Sequence, residues 1–153
     1  MGHRNTVPEW RDLMEQGLIA DTIEVSGTWS QIDAIYEDVV AALKTVPDCV
    51  NSSAHSSHVY RSGVNLYFTF ACMPEDASVM GDRYLESWNR ALTATAEAGG
   101  GIAHHHGSGR LRRDYLHHDL GQSGLALLRK LKHAIDPQGI LNPGNLLPPT
   151  NSD

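Results

Sequence analysis

Val64-Asn-Leu-Tyr-Phe-Thr-Phe70 alternates apolar and polar residues without a break. Strand side chains point to opposite faces in turn, so Val64, Leu66, Phe68 and Phe70 share one face. Asn65, Tyr67 and Thr69 share the other. The run predicts a strand over Gly63–Cys72 with one face covered and one open, the habit of antiparallel sheets. Upstream, Val50–Tyr60 reads as its hairpin partner, turned back around Arg61-Ser62-Gly63. Asp21-Thr-Ile-Glu-Val-Ser-Gly-Thr-Trp29 is rich in β-branched residues and reads as a further strand. Between these, Ile32, Ile35, Tyr36, Val39, Val40, Leu43 and Val46 recur at the helical period. Ser30 with Asp33 resembles a capping box, and Pro47 closes the helix.

Downstream, Glu75–Ala98 places Val79, Met80, Tyr84, Trp88, Ala91 and Leu92 on one stripe, a core-facing helix. Gly99 suits the left-handed C-cap that ends it. The order β-α-β-β-α implies an α+β fold, an antiparallel sheet with helices packed on one face. Beyond it, Arg110–Leu120 is ambiguous and partly helical, and Gly124–Ile135 is a helix with Leu127, Leu128, Leu131 and Ile135 facing inward. Asp136-Pro137 ends that helix. Ile140–Leu147 is a turn with apolar flanks, and Pro148–Asp153 a frayed end.

The chain has 153 residues, 41% hydrophobic and 20% charged, a globular composition rather than a disordered one. Its net charge of −6 argues against nucleic acid as a partner. No apolar run approaches the ~20 residues that cross a bilayer, and no signal peptide opens the chain, so the cytoplasm is the expected compartment. Cys49 and Cys72 lack metal-ligand spacing and read as buried free thiols.

Chemistry concentrates in Gly99-Gly-Gly-Ile-Ala-His-His-His-Gly-Ser-Gly109. Glycines lose the most freedom on folding, so a loop this rich in them suits close approach to a ligand or another backbone. If extended, His104 and His106 face one way and His105 the other, and convergence of all three needs an irregular backbone. No cysteine or carboxylate spacing supports a metal site, although His55, His58, His117 or His118 could be recruited to one, and none is expected. Imidazole titrates near ~6.5, which favours acid–base work, and its N–H can bond a carbonyl or oxyanion. Arg110, Arg112 and Arg113 follow at once and suit an anionic small ligand. Gly107-Ser-Gly-Arg-Leu-Arg112 lacks the third glycine of a dinucleotide fingerprint.

Gly100-Gly-Ile-Ala-His-His-His-Gly-Ser-Gly-Arg-Leu-Arg112, the Leu125–Ile135 helix and Asp136-Pro-Gln-Gly-Ile-Leu-Asn-Pro-Gly144 together resemble the C-terminal part of the alkyldihydroxyacetonephosphate synthases. These are vanillyl-alcohol-oxidase-type FAD flavoproteins. His55-Ser-Ser-His-Val-Tyr60 and Leu66-Tyr-Phe68 resemble the family's paired strands, and Arg11–Gly17 through Thr28-Trp29 the start of its cap domain. The resemblance implies a ferredoxin-like cap portion followed by the C-terminal helical tail of an FAD-linked oxidase. Residues 1–100 would be a partial cap, or substrate, domain. Residues 101–153 would be the histidine loop and a helical segment packing on an FAD-binding domain absent from this chain.

The activity implied is exchange of the acyl chain of acyl-dihydroxyacetone phosphate for a fatty alcohol, giving an ether lipid, with FAD as cofactor and no net redox change. Tyr67, His104, His105 and His106 fall on the family's catalytic positions. His105, Asn142 and Asn145 would contact the cofactor; Arg110, Arg112 and His58 would contact substrate. Many superfamily members carry lysine where Asn145 stands, which weakens that contact. Without its flavin domain the chain is expected to be inactive. Membrane-surface association and a homodimer are left open. Two alternatives stand beside this reading, an FAD-linked dehydrogenase of a hydroxy acid or alcohol and a non-catalytic binding remnant.

Overall fold

A computed structural model describes residues 9–147. A short helix α1 (Trp10–Glu15) leads into strand β1 (Ile19–Thr28), helix α2 (Ile32–Lys44), strand β2 (Cys49–His55), strand β3 (Gly63–Cys72) and helix α3 (Met80–Glu97). The last helix, α4 (Leu116–Ile135), is broken at Gly121, where φ is 65° and ψ 172°. The expected order of strands and helices is therefore present. The reading of Pro148–Asp153 lies outside the described residues.

The three strands form one antiparallel sheet in the order β1-β3-β2, with Ile23 opposite Phe68 and Glu24 opposite Tyr67. The alternation of β3 sets which face is covered. Leu66, Phe68, Phe70 and Cys72 join Ile23 and Val25 in the core, against Ile35, Val39 and Leu43 of α2 and Trp88, Ala91 and Leu92 of α3. Burying a side chain the size of Phe68 or Phe70 contributes about 2–3 kcal/mol, so this layer contact dominates the stability of the fold. At its margin, Tyr84 donates its hydroxyl to Asp21 at 2.8 Å, and the Trp88 indole N–H reaches the same oxygen at 3.2 Å. Burial, reinforced by the hydrogen bond to Asp21 and that carboxylate's charge, pushes the Tyr84 phenol up to about 12.

After α3, Gly99 takes φ 76° and the chain returns along the free edge of β1. Ser26 donates its N–H to Gly101 at 3.0 Å and Gly101 returns one to Ser26 at 2.8 Å, an antiparallel bridge. In a ferredoxin-like βαββαβ unit this is the place of the final strand, here reduced to one bridge. A Cβ on Gly100 would lie 2.8 Å from Ile35 Cδ1 and 2.9 Å from Thr95 Cγ2. The glycines thus serve close backbone approach.

Four local expectations are corrected. Helix α2 begins at Ile32 behind Gln31 and has no side-chain cap, so Ser30 and Asp33 form no capping box. Gln31 instead ties Thr28 and the carbonyl of Gly99 to one another through its amide. Strand β2 stops at His55, because Asn65 captures the main chain of Ser57 and His58 and pulls it off the ladder. Pairing resumes with the Val59–Val64 bridge and a tight turn in which Tyr60 N–H donates to Gly63 at 2.8 Å. Cys72 is buried as expected, but Cys49 is half-buried.

The fourth correction concerns α4. Leu127, Leu131 and Ile135 point outward, at 59%, 49% and 74% exposure, and Leu128 is only half-buried. Leu116 and Leu125 alone of this helix are buried. Periodicity identified an apolar face; it could not say what covers it. Lys132 and the main chain of Ile140 and Leu141 hold Asp136, which fastens the tail beneath the helix. No helix among the described residues is long and apolar enough to cross a membrane.

Candidate functional site

The open face of the sheet carries Thr22, Glu24 and Ser26 from β1 beside Asn65, Tyr67 and Thr69 from β3. Tyr67 lies between Glu24 on one side and His55 on the other, its ring 5.1 Å from the imidazole of His55. Thr22 donates its hydroxyl to the Tyr67 oxygen at 3.2 Å. That bond uses the phenol as an acceptor and leaves its own proton for an acceptor outside the sheet.

The histidine loop folds down over this face. Arg112 holds it there, donating to the carbonyls of Ile102 (3.0 Å), Gly107 (3.2 Å) and Glu24 (3.3 Å) while its guanidinium lies 4.7 Å from the Trp88 ring centroid. Ser26 adds a hydroxyl bond to Ala103, and Asp119 accepts from the N–H of Ile102. The backbone between these ties is irregular, and the alternation expected of an extended run fails. All three imidazoles converge on one carboxylate. Glu24 Oε1 lies 3.3 Å from His104 Nδ1; Oε2 lies 3.0 Å from His105 Nδ1 and 3.6 Å from His106 Nε2.

Glu24 is fully buried. A buried charge needs partners or it neutralises. Burial pushes its carboxyl up, but the Asn65 amide, the His105 main chain and the imidazoles of His106 and His105 outweigh that, and the net shift is downward. Asn65, itself fully buried, uses its amide fully. It donates to Glu24 at 2.5 Å and to Ser57 Oγ at 3.1 Å, and it accepts from the N–H of Ser57 and of His58. One side chain therefore positions both the carboxylate and the 56–58 segment that carries His58.

A carboxylate whose affinity for protons is lowered by folding stabilises the folded state above its unfolded pKa, and that stability is lost as pH falls through the folded value. Acidification below the ordinary carboxylate range is therefore expected to release the loop. Fluorescence-monitored unfolding should show wild-type stability falling over that range, and Glu24→Gln should flatten that part of the profile. An unchanged profile in the variant would contradict the placement of Glu24.

The structure brings Tyr67, His104, His105, His106 and His58 together. The His106 ring stands edge-on to Tyr67 at 5.5 Å, and His58 lies 5.3 Å and 5.1 Å from His104 and His105. Arg112 is placed otherwise than expected. Its donors bind the chain's own carbonyls, so it braces the loop rather than reaching for substrate. Arg110 is exposed beyond the loop. Asn145 lies against Gly109 at the end of the loop, and Asn142 forms the tail turn at φ 47°. Neither belongs to the Glu24 network. Sequence reading missed Glu24 and Asn65, because their roles depend on cross-strand register and on what covers the face.

Residues 2–146 match the family described as FAD linked oxidases, C-terminal domain. The chain belongs to this family. It is 36% identical over 146 residues to the uncharacterized FAD-linked oxidoreductase YgcU of Escherichia coli (strain K12), covering 89% of this chain and 29% of that protein. It is 31% identical over 147 residues to alkyldihydroxyacetonephosphate synthase of Trypanosoma brucei brucei, covering 94% and 22%. A solved alkyldihydroxyacetonephosphate synthase superposes with a TM-score of 0.55 at 22% identity over 87% of this chain and 21% of that one, a likeness of fold. The chain thus spans less than a third of the length of these relatives. FAD is the family's cofactor. The described residues fit one side of a flavin site. Their sheet is antiparallel throughout, with no parallel βαβ unit to hold a dinucleotide. The phenol and imidazole N–H groups on its open face suit the polar edge of a flavin ring and a substrate lying against it.

Proposed function

We propose that the chain is the substrate-facing portion of an FAD-dependent enzyme of the alkyldihydroxyacetonephosphate-synthase type. It would exchange the acyl group of acyl-dihydroxyacetone phosphate for a fatty alcohol, releasing the fatty acid. The observation that supports this most is the meeting of Tyr67 and His106 above a buried carboxylate, with the phenolic proton unclaimed by the sheet. Bound FAD would supply an electron-accepting ring beside the substrate. His106, neutral, takes a proton from the carbon next to the polarised ketone; Tyr67 donates a hydrogen bond to the departing carboxylate. His105, half-exposed, offers its ring to the cofactor, and Glu24 orients all three imidazoles.

The outward row Leu127, Leu131, Ile135, Ile140 and Leu141 would pack against the flavin-binding part, with residues from 101 onward acting as the unit between cap and flavin. The chain by itself is expected to keep no flavin through gel filtration. A flavin absorption band at one cofactor per chain would overturn that.

A second reading, oxidation of a hydroxy acid or other small alcohol, is favoured by the 36% identity to an FAD-linked oxidoreductase. The chain joined to a flavin-binding part and loaded with FAD separates the two. Incorporation of labelled fatty alcohol into the dihydroxyacetone phosphate product, without flavin bleaching, supports the synthase reading. Bleaching by a hydroxy acid, with no alkyl exchange, overturns it in favour of the second.

A further inference from the structure

Cys49 and Cys72 stand opposite one another, and a single extra residue puts them there. Along β2 the register sets Ser52 opposite Phe70 and Asn51 opposite Ala71, then skips Val50, so that Cys49 faces Cys72. A bulge of this kind re-aims the side chain beside it. With regular pairing Val50 would stand opposite Cys72, and Cys49 would turn to the open face of the sheet. Instead both thiols lie on the core side, Cys72 within the buried layer and Cys49 packed at its margin.

The pair has the geometry for a bond. Met73 donates its N–H to the carbonyl of Asp48 at 2.9 Å, which makes Cys49 and Cys72 a non-hydrogen-bonded pair of the antiparallel ladder. Opposite Cα atoms in such a pair are ~4.5 Å apart, within the ~4.4–6.8 Å that a disulfide bridges. The turn before Cys49 is held from outside the strand, because Asp48 takes φ 64° and pairs with Arg83 of α3 at 2.9 Å. Neither sulfur has a strong partner to give up. Cys49 donates to the carbonyl of Asn51 at 3.4 Å, and Cys72 Sγ lies 3.7 Å from Ser87 Oγ. Burial pushes the Cys72 thiol up, and the neighbouring Cys49 thiol adds to that shift while the Ser87 contact opposes it.

We propose that Cys49 and Cys72 are an oxidative modification site, closed by hydrogen peroxide into an intramolecular disulfide that clamps β2 to β3. Cys49 is half-buried and is the thiol a small oxidant reaches; Cys72 is fully buried and resolves it. The Cys49 thiolate attacks one peroxide oxygen and the O–O bond breaks. Sulfenic acid forms, and the released hydroxide takes up the proton that Cys49 gave and leaves as water. Cys72 Sγ then attacks Cys49 Sγ. The S–S bond forms, the S–O bond breaks, and the departing hydroxide takes the Cys72 proton as the second water. Two thiols lose two electrons and one peroxide gains them. The step uses no flavin, so it stands apart from the reading of the open face.

The test treats the purified, reduced chain with a small excess of hydrogen peroxide, quenched with catalase. The chain is then denatured in iodoacetamide, and its intact mass is read without reductant. A monomer lighter by two hydrogens, with neither cysteine alkylated, is expected. Cross-linking removes freedom from the unfolded chain, so its melting midpoint should rise by about 5 °C or more and return with dithiothreitol. Cys49→Ser and Cys72→Ser should each abolish both the mass change and the rise. Cys49→Ser decides the matter if Cys72→Ser does not fold, since Cys49 lies at the margin of the core. Two alkylated cysteines after peroxide, a bridge between two chains, a lowered midpoint, or a rise that persists in Cys49→Ser would overturn the proposal.

Discussion

Gly63→Ala is expected to lose at least about 3 kcal/mol of stability, the cost of forcing atoms into a packed site with no room to relax. A Cβ at Gly63 would stand 2.0 Å from the carbonyl oxygen of Gly27 and 2.8 Å from Thr28 Cα. Both are main-chain atoms of β1 held in register against β3, so no side chain can turn aside to admit the methyl. Relief requires the strands to part at the end where Trp29 and the 56–62 segment meet. Loss of that size is a large share of the ~5–15 kcal/mol that holds a domain folded. Gly81→Ala supplies the contrast. A methyl at this position of α3 would meet nothing within 4 Å, and helix propensity then favours alanine by up to about 1 kcal/mol. Denaturant midpoints of the two variants should move in opposite directions.

That contrast also shows what could be read before the fold was known. The alternation of Val64–Phe70 set the covered face of the sheet, and the apolar spacing of Ile35, Val39 and Leu43 placed α2 upon it, because burial on one face leaves a periodic signal. Tyr67 could be assigned to the open face for the same reason. Glu24 could not be weighed. A charged residue at an alternating position reads as solvated, and only the register that sets it opposite Tyr67, together with the loop above, makes it a buried anchor. The histidines were legible as chemistry but not as geometry, since convergence depends on an irregular backbone tied down by Arg112 and Ser26. Arg112 illustrates the converse. Its position after the loop suggested an anion, yet its donors serve backbone carbonyls.

Tyr67→Phe and His106→Ala carry the largest expected effects on turnover. In the chain joined to a flavin-binding part and loaded with FAD, each should slow the reaction by about 10²–10⁴-fold, the usual span for a positioned acid or base. Tyr67→Phe removes one oxygen. Its ring contacts with His106 and His55 can persist, so stability and flavin content should stay close to wild type. His106→Ala removes the imidazole farthest from Glu24, and Asn65 still holds that carboxylate. Variants that slow turnover only in proportion to lost flavin would point to a structural role.

The claim on which the rest depends is that the phenol and the imidazole act as one unit on the open face of this sheet. Groups that act on the same step show losses that do not multiply. The decisive measurement is kcat for wild type, Tyr67→Phe, His106→Ala and the double variant, all at matched flavin content. If the unit is real, the double variant is little slower than the worse single one. Losses that multiply, or single variants as fast as wild type, would contradict it.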